Sequence, residues 1–86
     1  MKTVWKYPMD PLSAQIRIEA PEYCRVIHVE TDYDLGQVMM WMEVDTDAAM
    51  KTYQFHVVGT GHEIPAGTRH VGTAILYGFV WHVYRD

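Results

Sequence analysis

The stretch "VVGTGHEIPAGTRH", residues 57–70, gathers many of the chain's groups that could do chemistry. Glycine lets a backbone approach a ligand closely. Consecutive N–H groups in such a loop, here from Gly59, Thr60 and Gly61, can form a concavity that holds an anion. His62, Glu63, Arg69 and His70 add polar side chains, with a permanent positive charge at Arg69. The expected site is therefore a phosphate-holding one, with Gly59 to Gly61 as backbone donors and His62, Arg69 and His70 as side-chain partners. Known phosphate-loop patterns do not fit. The lysine and the helix of a P-loop are missing, and Pro65-Ala66 breaks a Gly-x-Gly-x-x-Gly spacing. The plainer role is a long β–β connection that needs glycine for its bends.

Other chemistries find less support. Five histidines include no His-x-His and no His-Glu-x-x-His, the spacings a zinc site on a strand or helix would use. His28, His56, His70 and His82 fall on four different expected strands, which leaves convergence open. Cys24 is the single cysteine, so one chain forms neither a disulfide nor a thiolate cluster. Ser13 lies in a proline-flanked loop without a nucleophile elbow, and "ETDYD" reads as a solvated turn. No set of catalytic roles assembles. We expect a protein that is not an enzyme and uses neither metal nor cofactor.

Net charge is −4, from seven basic and eleven acidic residues, with no basic run. That is a poor footprint for duplex nucleic acid. Two arginines and a few N–H groups still suffice for a small anion. The start, "MKTVWKYP", lacks the apolar core of a secretion signal, and the low-charge stretch from Val71 to Val83 is too short to span a bilayer. No membrane partner is expected. Six Tyr and three Trp give flat, amphipathic surface of the kind found at binding sites. Trp5, Trp41 and Tyr53 are candidate stacking planes for a base. Trp41 has a second candidate role, contact with another subunit.

Period-two patterning sets the elements that must position these groups. In "QVMMWMEV", Val38, Met40, Met42 and Val44 share one face, while Met39, Trp41 and Glu43 share the other. Tyr53, Phe55 and Val57 oppose Gln54, His56 and Val58. "CRVIHVE" is ambiguous and suits burial on both faces. "TDYDLG" offers Gly36 for a hairpin connection, "YG" at 77–78 a tight turn, and "DTDAAMKT" a loop or one helical turn. The expected strands are 3–7, 15–20, 24–31, 37–44, 52–59, 69–77 and 79–85. They predict a single, mainly β domain over 1–86, a compact antiparallel β-sandwich or small barrel of about seven short strands. Exposed sheet edges in so small a domain favour a homo-oligomer.

The opening "MKTVWKYPM", the segment "TYQFHVVGTGHEIP" and the closing "GTAILYGFVWHVY" together resemble a family of small uncharacterised bacteriophage proteins. Its members share a Lys-Thr-x-Trp-Lys-Tyr-Pro start, a Gly-Thr-Gly-His-x-Ile-Pro loop and a similar final strand pair. The resemblance transfers no catalytic residue. It implies a phage protein acting in the cytoplasm of an infected bacterium. Many short phage proteins oppose host defence, which points to two partners. One is a small nucleotide-like immune signal, captured without cleavage by a sponge. The other is a host defence protein, blocked by contact. A structural or accessory role for the phage is the third.

Overall fold

Alternation of apolar and polar residues builds a strand wherever it is sustained, because successive side chains point to opposite faces. A computed structural model, describing residues 1–13 and 15–86, contains seven such strands. They are β1 (Lys2–Met9), β2 (Gln15–Pro21), β3 (Cys24–Asp32), β4 (Gln37–Asp45), β5 (Met50–Gly59), β6 (Arg69–Leu76) and β7 (Phe79–Arg85). Every expected strand is present. β1 runs on through Pro8 and Met9, and β5 begins at Met50 rather than Thr52. All pairings are antiparallel. They form two sheets, ordered β1-β4-β3 and β2-β5-β7-β6, so the architecture is a sandwich and the barrel alternative is set aside.

The core lies between the sheets. Val38, Met40, Met42 and Val44 of β4 are fully buried and meet Phe55 and Val57 of β5 and Val83 of β7 in one apolar cluster. β5 is covered on both faces, since His56 and Val58 are buried as well as Phe55 and Val57. β3 corrects its two-faced reading. Val26 and Val29 turn inward, while Ile27 and His28 are exposed, because a bulge between Val26 and His28 inserts one residue into the ladder with β4. β6 carries a matching bulge between His70 and Gly72.

These two bulged strands are the edges that close one side of the sandwich. Thr31 Oγ1 and Tyr33 Oη of the β3 side both donate to the Ile75 carbonyl of β6. Gly72 permits this approach. A Cβ there would lie 2.2 Å from Val29 Cγ2 and 2.5 Å from Val29 Cβ. Chain reversals follow the expected glycines, with Gly36 at φ +64° and Gly78 at φ +80°.

Of the 45–52 segment, residues 46–49 form a turn between β4 and β5, and none is helical. The Asp45 carbonyl accepts the Ala48 N–H at 3.1 Å, and Asp45 Oδ1 accepts the Asp47 N–H at 3.0 Å. That backbone N–H, aided by the Met1 ammonium, holds the Asp45 carboxyl below the usual carboxylate range. A depressed native pKa stabilises the fold above the unfolded-state value, and the gain disappears as pH falls through the native value. Asp45→Asn should therefore lessen the loss of stability on acidification, read as a shallower fall of melting temperature below the ordinary carboxylate pKa. An unchanged acid limb would show that the turn does not contribute.

Candidate functional site

β5 and β6 each run antiparallel to β7, which lies between them, so they run parallel to one another. Residues 60–68 are therefore a crossover that must pass β7, and the facing sheet fills the inner side. The glycine stretch spends its length in two bends. The His62 N–H donates to the Gly59 carbonyl at 3.0 Å, and Gly61, at φ +90°, supplies the conformation that position i+2 of a type II turn demands. Gly67 at φ +78° makes the second bend, where Thr68 Oγ1 donates to the Pro65 carbonyl at 2.7 Å. The His62 ring folds back over Gly59, whose Cβ would come within 3.1 Å of Nδ1. Gly59, Thr60 and His62 line a hollow of about 420 Å³ with Phe79 and Trp81.

Thr60 ties the loop to the outer face of the second sheet. Its Oγ1 lies 3.0 Å from His82 Nε2, His82 Nδ1 lies 3.1 Å from Thr73 Oγ1, and Thr73 Oγ1 lies 2.7 Å from His70 Nε2. This chain joins two of the expected site residues, Thr60 and His70, through Thr73 and His82. Cross-strand pairing explains it: Thr73 is opposite His82, and His70 is opposite Tyr84, whose ring it meets edge-on at 5.4 Å. His56, on the same face and opposite Tyr84, pairs with Asp86 Oδ1 at 2.8 Å. His28 lies on the other sheet. Among the described residues no group of three or more His, Cys, Asp or Glu is placed to hold a metal ion.

Arg69 leads elsewhere. It stands directly opposite Arg85 across β6 and β7, at the open end of the sandwich. With Arg25, Cys24, Val26, His70 and Val71, the two line a cleft of about 410 Å³. Arg25 is neutralised by Glu43, with Nη2 to Oε2 at 3.0 Å. Neither Arg69 nor Arg85 has a side-chain carboxylate partner among the described residues. The Arg85 guanidinium instead lies over the Tyr53 ring at 5.3 Å and the Phe55 ring at 5.6 Å, and its Nε donates to the Asp86 main-chain oxygen at 3.4 Å. Like charges directly opposite on a sheet repel, so this end is electrostatically unbalanced without an anion.

A family model described as a domain of unknown function, DUF7352, matches residues 1–86. The chain belongs to that family. Comparison with curated proteins and with solved structures found no match.

Within this DUF7352 fold the expected aromatics do not join the loop. Trp5, opposite Met42, and Tyr53, opposite Ile18, are half-buried and pack against the core. The Tyr53 hydroxyl donates to the Glu22 carbonyl at 2.8 Å, and burial pushes its phenol above the ordinary value. Trp41 lies on the outer face of the first sheet, 5.5 Å from the His28 ring. Gly59, Thr60, Gly61 and His62 thus form one group, Arg69 and His70 a second at the cleft, and the aromatics a third that is scattered. Arg85 and His82 are absent from the expected site. Only strand register reveals them.

Proposed function

We propose that this protein captures a small phosphate-bearing ligand of nucleotide-derived kind, such as a cyclic nucleotide or an ADP-ribose-type signal, and holds it without cleavage. The observation that carries this reading is the Arg69–Arg85 pair, two facing guanidiniums without side-chain carboxylate partners, lining a cleft of about 410 Å³. Planar guanidinium forks suit phosphate oxygens, and a bound dianion would turn their repulsion into attraction. His70 at the lip adds an imidazole donor. The glycine loop then serves as the crossover that sets β6, and through Thr60, His82 and Thr73 it braces His70. The setting, a phage protein that silences an immune signal in the cytoplasm of an infected bacterium, rests on the resemblance of the start, loop and closing strands.

Isothermal titration with cyclic dinucleotides, cyclic mononucleotides and ADP-ribose tests the proposal. Saturable binding is expected for at least one, with the ligand recovered unchanged after the protein is heated. Absence of binding across the panel, or recovery of a cleaved product, would sink it. The second reading is direct blockade of a host defence protein, favoured by the outer face of the first sheet, where Val4 and Ile27 are about half exposed around Trp41. Co-purification of a defence protein that is lost in Trp41→Ala would carry that reading.

A further inference from the structure

One end of the sandwich gathers exposed apolar side chains from three separate connections. Leu12 comes from the β1–β2 link, Tyr33 and Leu35 from the β3–β4 link, and Tyr77 and Phe79 from the β6–β7 hairpin. Their exposure is high: 90% for Leu12, 68% for Tyr77, 67% for Phe79, 62% for Tyr33 and 61% for Leu35. An apolar groove of about 320 Å³ runs among Pro11, Leu12, Leu76, Tyr77 and Phe79. Tyr33 and Tyr77 meet edge-on at 6.4 Å, so the separate connections are physically joined.

Backbone geometry singles out the same place. Tyr77 is the one non-glycine residue with positive φ, at +50°, among the described residues, and with Gly78 it forms a two-residue hairpin turn. That turn, with positive φ at both central residues, prefers Asn-Gly because asparagine tolerates the left-handed region and an aromatic residue does not. A tyrosine held there meets Tyr33 edge-on and reaches over Gly36 with its hydroxyl, yet stays two-thirds exposed. Departures of this kind from local preference concentrate at functional surfaces.

We infer that this end is a self-association surface, on which a second copy of the chain docks about a two-fold axis. The area fits. At about two-thirds exposure each aromatic contributes roughly 100–170 Å². With the two leucines these side chains present several hundred Å², comparable with the apolar half of the ~800 Å² per partner that a standard interface buries. A typical monomer's largest apolar patch is about 300–600 Å², and patches of that size are often functional. The charged neighbours are acidic. Asp10 lines the groove, with Oδ1 accepting the Leu12 N–H at 3.0 Å, and Asp34 is exposed nearby. The two-fold axis must therefore pass through the aromatic side chains and leave these like charges at the margin. The surface is remote from the Arg69–Arg85 cleft, which lies at the opposite ends of β6 and β7.

Sedimentation equilibrium of the full chain, from low micromolar to several hundred micromolar, tests the assignment alongside Tyr77→Asn and Phe79→Lys. The wild type should move from monomer to dimer mass over that range. Tyr77→Asn should weaken the dimer at least about tenfold, as loss of a central aromatic anchor does, while its dilute monomer melts higher because Asn-Gly suits the turn. Phe79→Lys should remain monomeric throughout. A wild type that stays at monomer mass overturns the inference. So does a dimer that survives both substitutions, since the contact would then lie elsewhere. A monomer that instead binds a basic amphipathic peptide at this end assigns the surface to a different partner and overturns it too.

Discussion

Replacing Gly72 with alanine is expected to lower the melting temperature by about 15 °C, the equivalent of roughly 3 kcal/mol in a domain of this size. The added Cβ would fall 2.2 Å from Val29 Cγ2 and 2.5 Å from Val29 Cβ. Rotation of the valine relieves the first contact and leaves the second, because Cβ is fixed to the β3 backbone. The β3 and β6 edges would have to part, exposing Val29 and Ala74, both now buried in the core. Thermal unfolding of Gly72→Ala, of Val29→Gly, which removes the Val29 Cβ, and of the double variant checks the mechanism. Recovery of at least about 1 kcal/mol in the double variant, beyond the sum of the singles, is expected for residues in direct contact. Simple additivity would mean that the glycine serves some other purpose.

Arg69→Gln should have opposite effects on stability and on binding. Without ligand, removing one of two facing guanidiniums relieves like-charge repulsion worth about 0.2–1 kcal/mol, so the melting temperature should hold or rise slightly. With ligand, loss of a charge-assisted contact of about 1.5–3 kcal/mol should weaken phosphate capture roughly ten- to a hundredfold. Arg17→Gln is the control. Arg17 is exposed on the outer face of β2, opposite Gln54, and outside the cleft. A fall in melting temperature for Arg69→Gln with unchanged binding would make Arg69 structural and remove it from the site. Arg85 is less suited to this test, because its contacts with Tyr53 and Phe55 tie it to the core.

The strands were legible because period two runs through most of them, the bulged β3 and β6 excepted, and Gly36 and Gly78 mark the two hairpins. Which strands share a sheet was not, since alternation records that a face is buried and not what covers it. The candidate site shows the limit most clearly. The Tyr77-Gly78 turn fixes the ladder from Leu76 and Phe79 down to Gly72 and Val83, and an unbroken ladder would set Arg69 opposite Asp86. The bulge at Val71 shifts the pairing by one residue and sets Arg69 opposite Arg85 instead. The pairing of Arg69 with Asp86 that an unbroken ladder would give is replaced by a charged cleft through one inserted residue that no local composition announces. Trp5 and Tyr53 failed to reach the loop for a simpler reason. Both alternate in phase with buried residues of their own strands, Trp5 with Met9 and Tyr53 with Phe55 and Val57, so the core claims them.

The arrangement of edges also bears on how this chain behaves when crowded. Cross-β growth needs a straight strand with unpaired backbone groups and no proline. β3 and β6 are bulged and turned against each other, and the remaining edges, β1 and β2, contain Pro8 and Pro21. None of the four templates the addition of a further strand well. A protein accumulating to high concentration would thereby be kept out of fibrils, and its oligomers would be finite in size.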